Sequence, residues 1–179
     1  MGVDIAAGPG VDVVCDAYEL LDRFGYERFD VLLSTEMIEH VEDWRRVVHN
    51  FKHLVRPGGV ILITTRSPGF RYHGYPYDFW RFDPQDLARI FDDCEVLAIE
   101  ADPSSPGAFL SVRKPTAFAE RDNSQEVLFS MVAGRKTVEV TARDQQRFRC
   151  RYAVKRFLRR FRLRTIWKIL RGEHSGHRS

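Results

Sequence analysis

Between Phe29 and Arg66 the chain reads "FDVLLST", then a stretch with apolar residues at helical spacing, then Arg56-Pro57-Gly58-Gly59, then "GVILITTR". The two short aliphatic runs with polar ends carry the pattern of buried strands. Between them, Val41, Trp44, Val48, Phe51, Leu54 and Val55 fall on one stripe of a helix. Arg56-Pro57-Gly58-Gly59 is predicted to end that helix, because proline cannot continue the hydrogen-bond ladder and glycine accepts a left-handed turn. Strand, helix and strand in this order close as a parallel pair with a right-handed crossover. The class is therefore α/β.

The flanking segments extend this unit. "VDVVCDA" (Val11 to Ala17) reads as another buried strand. Asp83-Pro84-Gln85-Asp86 opens a helix through Phe91, with Asp83 as N-cap and Pro84 at the first helical position. "CEVLAIEA" (Cys94 to Ala101) and "GAFLSVRK" (Gly107 to Lys114) are strands joined by the short connector Asp102 to Pro106. Such a connector suits an antiparallel hairpin and not a helical crossover.

The opening "VDIAAGPG" imitates a glycine loop that receives a nucleotide. The 19 positions between Gly10 and Asp30 cannot hold the helix and strands that should follow, since one β–α–β unit needs about 30 residues. "GVDI" instead reads as the end of a strand with Asp4 at its tip, where a carboxylate can accept from both hydroxyls of a ribose. The ordered set Gly2-Val3-Asp4, Cys15-Asp16-Ala17, "FDVLLS" (Phe29 to Ser34), Glu36, Glu39-His40-Val41 and Leu54-Val55-Arg56-Pro57-Gly58-Gly59 resembles the class I S-adenosylmethionine-dependent methyltransferases. The closing hairpin suits that family too, and the resemblance covers about residues 1–115.

The resemblance implies a partial Rossmann-like sheet (the family's strands 3 to 7), S-adenosyl-L-methionine as methyl donor, and O-methylation of a small-molecule, sugar or lipid acceptor. In the family a first strand, a first helix and a glycine-rich loop precede the ribose acid, whereas here only Met1, Gly2 and Val3 do. The expectation is a chain that enters the family's sheet in the middle, with impaired activity. Without a central first strand, "VDVVCDA" is expected to dock directly on "FDVLLS".

Site residues follow from the same alignment of motifs. Asp4 would hold the ribose, and Ile5 beside it is a further cofactor-binding residue. Asp16 and Ala17 would flank the adenine, unless Asp16 serves only as a cap for the next turn. Ser34, Thr35 and Glu36, at the end of their strand, would floor the site near the methyl group. His40 is a candidate general base, since imidazole titrates near neutrality; a helix-entry residue bonded to a loop is the plainer reading. The loop "SPGFRYHGYPYDFWRF" (Ser67 to Phe82) follows a strand at its carboxyl end, where open α/β sheets bind ligands. It reads as a substrate lid, with His73 and Asp78 orienting or deprotonating an acceptor hydroxyl. Tyr75, Tyr77, Trp80 and Arg81 would contact the acceptor, with core packing of the aromatics as the other reading. No metal site is predicted.

Charge divides the chain. Residues 144–179 hold 12 Lys and Arg against 2 acidic residues, while the whole chain carries only +3. A methyltransferase-like domain (1–115) is therefore expected to pass through a linker or extra strands (116–143) into a basic amphipathic helical tail (144–179). Cys150, Val154, Phe157 and Phe161 share one face of the tail, and Leu163, Ile166, Trp167 and Leu170 another. The change of phase near Arg162 predicts a bend or two helices. Arginine rows beside Phe and Trp through residues 147–171 suit an anionic membrane surface. Nucleic acid is a weaker fit, and packing on the domain is the bland one. A noncatalytic module that binds through this tail is the alternative to the enzyme. The three scattered cysteines fit a reducing compartment. With no signal-peptide pattern and no apolar run of membrane length, a cytoplasmic protein with peripheral membrane contact is expected.

Overall fold

The computed structural model describes residues 1–74 and 77–170, with residues 159–170 described by their backbone alone. The chain divides into two units, Met1–Val140 and Thr141–Ser179.

In the first unit, β1 (Val3–Asp4) and β2 (Val13–Val14) form a short parallel pair. A 3-10 turn at Ala17–Glu19 runs into α1 (Leu20–Phe24). Next come β3 (Phe29–Thr35), α2 (Trp44–Leu54) and β4 (Val55–Arg66). The two strands are parallel, with Leu32 opposite Ile61 and Ser34 opposite Ile63. After β5 (Trp80–Arg81) and α3 (Pro84–Ile90), the hairpin of β6 (Glu95–Ala101) and β7 (Gly107–Arg113) completes the main sheet. Its order is β3-β4-β7-β6, and β7 is antiparallel to both neighbours. The α/β class, the parallel unit and the antiparallel hairpin are as the sequence predicts. α3 begins with the expected cap: Asp83 and Asp86 satisfy each other's backbone N–H groups around Pro84.

The core lies on one face of this sheet. Trp44, Val47, Val48, Phe51 and Leu54 of α2 are buried with Ile61 and Ile63 of β4, Leu110 and Val112 of β7, and Leu87 and Ile90 of α3. Strand alternation sends the intervening side chains to the other face. There Val31 and Leu33 are 58% and 65% exposed.

Three expectations are corrected. "VDVVCDA" does not dock on "FDVLLS": only Val13–Val14 is strand, it pairs with β1, and the outer edge of β3 carries no strand among the described residues. This half is held from another side. Asn50 of α2 donates to the carbonyls of Ala17 and Tyr18 at 2.8 and 3.2 Å, anchoring the 3-10 turn and α1 on α2. Second, Arg56-Pro57-Gly58-Gly59 is not a separate turn after the helix. α2 stops at Leu54, Val55 is already extended, and these residues lie inside β4. Gly58 has φ +81°, and a Cβ on Gly59 would sit 2.7 Å from the carbonyl oxygen of Asp30. Both glycines are needed where β3 and β4 change register between Phe29 and Val31.

The third correction concerns the tail. Thr141 and Asp144 cap each other reciprocally, with Thr141 Oγ1 2.7 Å from Asp144 Oδ2. From there α4 runs unbroken over Ala142–Leu170, without the expected bend. No described helix is long and apolar enough to cross a membrane.

The segment after β7 is not a bare connector. β8 (Leu128–Ser130) and β9 (Arg135–Thr137) join β5 in a small antiparallel sheet of order β5-β8-β9. Burial, with the nearby charge of Asp93, pushes the Cys94 thiol up to about 12, so that cysteine is inert packing.

Candidate active site

The carboxyl end of β3 is a sharp stop. Glu36, just beyond it, has φ +52°, a left-handed conformation that a non-glycine residue adopts only when held. Its N–H donates to the Thr64 carbonyl at 2.9 Å, its carboxylate accepts from Thr64 Oγ1 at 3.2 Å, and it pairs with Arg66. The chain is thereby turned into the 3-10 turn Ile38–His40, which carries Glu39 inward and His40 toward the loop after β4.

Glu39 is fully buried. One carboxylate oxygen accepts from Thr65 Oγ1 at 2.7 Å; the other, Oε1, has no hydrogen-bond partner among the described residues and lies 3.8 Å from His73 Nε2. Burial pushes the Glu39 carboxyl above its ordinary range, although the Thr65 hydrogen bond opposes this. His40 Nδ1 lies 2.8 Å from the Tyr77 carbonyl oxygen. A carbonyl only accepts, so Nδ1 bears the proton and the neutral ring keeps its lone pair on Nε2. His73 is tied in the same way: Nδ1 lies 3.0 Å from Asp78 Oδ2, which also accepts from the His73 N–H at 3.0 Å. The two imidazoles meet edge to face, 4.8 Å between centroids.

Behind them sits a buried ion pair. Asp78 and Arg81 are both fully buried, with Arg81 Nη2 2.6 Å from Asp78 Oδ2 and Nη1 bonded to Oδ1. The remaining guanidinium hydrogens go to the carbonyls of Phe70, Arg71 and Trp80. Burial alone would raise the Asp78 carboxyl, but the hydrogen bonds from Arg81 and the His73 backbone, with their charge, outweigh it and hold it below the usual range. Asp78 therefore stays ionised and orients His73.

The sequence candidates thus separate. His40, His73 and Asp78 come together, with Glu39 added. The sequence marks Glu39 only as part of a motif, because nothing in its spacing betrays that it is buried. Trp80 and Arg81, expected to contact an acceptor, are instead inside: Trp80 Nε1 donates to the Glu42 carbonyl at 2.9 Å, and both side chains brace the loop. Tyr77 packs its ring 5.2 Å from that of Phe79 and gives its carbonyl to His40. Tyr75 lies outside the described residues.

On the donor side, Asp4 ends β1, exposed, and accepts from the Ala6 N–H at 2.9 Å; Ile5 is 70% exposed. Asp16 takes its capping role, accepting from the Tyr18 N–H at 2.9 Å at the turn that Ala17 begins. Ser34 is buried near the end of β3, beside exposed Thr35, and its Oγ has no hydrogen-bond partner among the described residues. An orphaned hydroxyl there fits a polar donor lying across the strand end. Ligand atoms of Glu39, His40 and His73 lie within 4.8 Å of one another, so this corner could also hold a cation, where the sequence predicts none.

Residues 3–100, more than half of the chain, match the family described as "Methyltransferase domain". The chain belongs to this family. Among curated methyltransferases it is similar to the ubiquinone biosynthesis O-methyltransferase of Parvibaculum lavamentivorans, 37% identical over 68 residues, or 38% of this chain and 26% of that protein. It is also similar to the protein of the same name from Sinorhizobium fredii, 42% identical over 62 residues, or 34% of this chain and 25% of that protein. The match spans about a quarter of the length of these relatives. Among solved methyltransferase structures, that of Burkholderia thailandensis 1,6-didemethyltoxoflavin-N1-methyltransferase, with bound 1,6-didemethyltoxoflavin and S-adenosylhomocysteine, superposes with TM-score 0.51. It is 18% identical, and the match covers 63% of this chain and 60% of that one. That likeness establishes the methyltransferase fold.

Proposed function

We propose that this chain carries an S-adenosyl-L-methionine-dependent methyltransferase site that methylates an oxygen of a small molecule, a sugar or lipid included. One observation carries the reading. Two imidazoles at the carboxyl end of the sheet have Nδ1 tied to acceptors, which leaves Nε2 of His40 able to take a proton from an acceptor hydroxyl. The named O-methyltransferase relatives support an oxygen acceptor. The donor's sulfonium supplies an already activated methyl group, so the residues need only align and deprotonate. Asp4 would bind the ribose, Ser34 would bond the donor across the strand end, His40 would accept the proton, and Asp78 would hold His73 in place. Calorimetry with S-adenosylmethionine should show binding to the full chain, weakened by Asp4→Ala and by Ser34→Ala. Unchanged affinity in both variants would remove the donor assignment.

A second surface belongs to the same proposal. Tyr152, Val154, Phe157 and Leu158 of α4 are exposed among Arg147, Arg149, Arg151, Lys155 and Arg156. This mixture supports peripheral contact of a cytoplasmic protein with an anionic membrane. Sedimentation with phosphatidylserine vesicles should show binding that falls with salt and is lost in Phe157→Glu/Leu158→Glu. Equal binding to neutral vesicles, or a preference for duplex DNA, would overturn the membrane reading.

A further inference from the structure

α2 has a second histidine pair, away from the candidate active site. His49 and His53 are four residues apart and so rise from one face of the helix. Their ring centroids are 4.3 Å apart. The segment after β7 returns across this face and places Glu120 on both: Oε2 lies 2.7 Å from His49 Nδ1 and 3.0 Å from His53 Nε2. The three ligand atoms lie within 4.8 Å of one another.

The carboxylate is presented by a braced segment. Phe118 packs edge-on to His53 at 5.8 Å, and the Lys114 ammonium sits 4.9 Å from the Phe118 ring centre. The Arg121 N–H donates to Asp93 Oδ2 at 2.9 Å, and its guanidinium bonds Glu126 at 2.6 Å. Tyr26 packs edge-on to His53 at 5.6 Å. The His49 side chain is 43% exposed, so an ion can enter from solvent.

We propose that His49 Nδ1, His53 Nε2 and the Glu120 carboxylate form a site for a divalent transition-metal ion of the zinc type. Two imidazole nitrogens and one carboxylate suit zinc and its neighbours, whereas calcium and magnesium take oxygen ligands. Zinc holds such ligands at about 2.0–2.1 Å, which places tetrahedral ligand atoms roughly 3.3 Å apart. The two contacts to Glu120, 2.7 and 3.0 Å, therefore need to open by a few tenths of an ångström, while the two ring nitrogens, within 4.8 Å of each other, settle to the same spacing by side-chain rotation. The ion takes the place of the two hydrogen bonds to Glu120, each neutral ring carrying its N–H proton on the other nitrogen, and water completes the fourth position. Its binding fastens the segment after β7 to α2.

The probe is Zn²⁺ alone, titrated by calorimetry into the full chain near neutral pH. A binding event is expected that disappears in His49→Gln/His53→Gln and in Glu120→Gln but persists in His73→Gln, which alters the other histidine cluster. Zn²⁺ should raise the melting temperature of the parent by more than that of the double variant. In the parent itself, Zn²⁺ should shield His49 and His53 from diethyl pyrocarbonate, read by peptide mass, so the result does not hang on a variant folding. No uptake, a stoichiometry unchanged by the double substitution, loss of the event in His73→Gln, or unshielded His49 and His53 would each overturn the site.

Discussion

Asp78→Ala should destabilise the first unit by about 3–5 kcal/mol, because it leaves the fully buried Arg81 guanidinium without its counter-charge. For a chain of this size that lowers the melting temperature on the order of 10 °C. Urea unfolding followed by circular dichroism reads it directly. Asp78→Leu combined with Arg81→Leu should recover much of the loss, since a neutral pair carries no desolvation penalty. A single variant within about 0.5 kcal/mol of the parent would show that the pair is not buried as described. The pH dependence separates the two acids of the site. The Asp78 carboxyl is lowered in the fold, so its stabilisation is complete above the ordinary aspartate value and fades as pH falls through the lowered one. The Glu39 carboxyl is raised, so the folded chain keeps a proton that the unfolded chain has lost. Stability then declines as pH climbs from the ordinary glutamate value through the raised one. Glu39→Gln should flatten that decline while leaving the acid limb in place.

Trp44→Ala should cost a similar amount, about 3–5 kcal/mol. Trp44 is fully buried at the start of α2 and meets Phe82 edge to face, 6.0 Å between centroids. It joins the helix to the chain leaving β5, so its removal opens a cavity between α2 and Phe82. Trp44→Phe should cost clearly less. It keeps the ring contact and removes an indole N–H that has no partner among the described residues, a group whose burial unsatisfied costs about 1–3 kcal/mol. Guanidinium denaturation of both variants is the measurement. Equal losses would mean that the indole does more than fill space.

What could be read from the sequence was what repeats. The stripe from Trp44 to Leu54, the alternating Ile61 and Ile63, and the Asp83-Pro84 cap each signal through local spacing, and each element formed where expected. Segments whose outcome rests on distant partners could not be read this way. Trp80 and Arg81 looked like lid residues because the loop is aromatic and polar. Their burial depends on β8, nearly 50 residues on, and two-residue strands have no periodicity to recognise. The Glu39 carboxylate meets Thr65 and His73, which arrive from other segments. His49 and His53 stand one helical turn apart, but Glu120 lies 67 residues beyond His53, with nothing local to link them. The docking expected of "VDVVCDA" did not occur: Val13–Val14 pairs with β1, and Asn50 ties the turn that follows to α2.

The one-sided clothing of the main sheet sets how this sequence can drift. Along β3 and β4, neighbouring codons face opposite regimes. Val31 and Leu33 stand mostly in water, where exchange for threonine or lysine moves stability by no more than about 0.5 kcal/mol. Ile61 and Ile63 lie under α2, where truncation to alanine costs about 2–5 kcal/mol. Lineages of this chain should therefore accumulate polar replacements at every second strand position while the positions between them stand still.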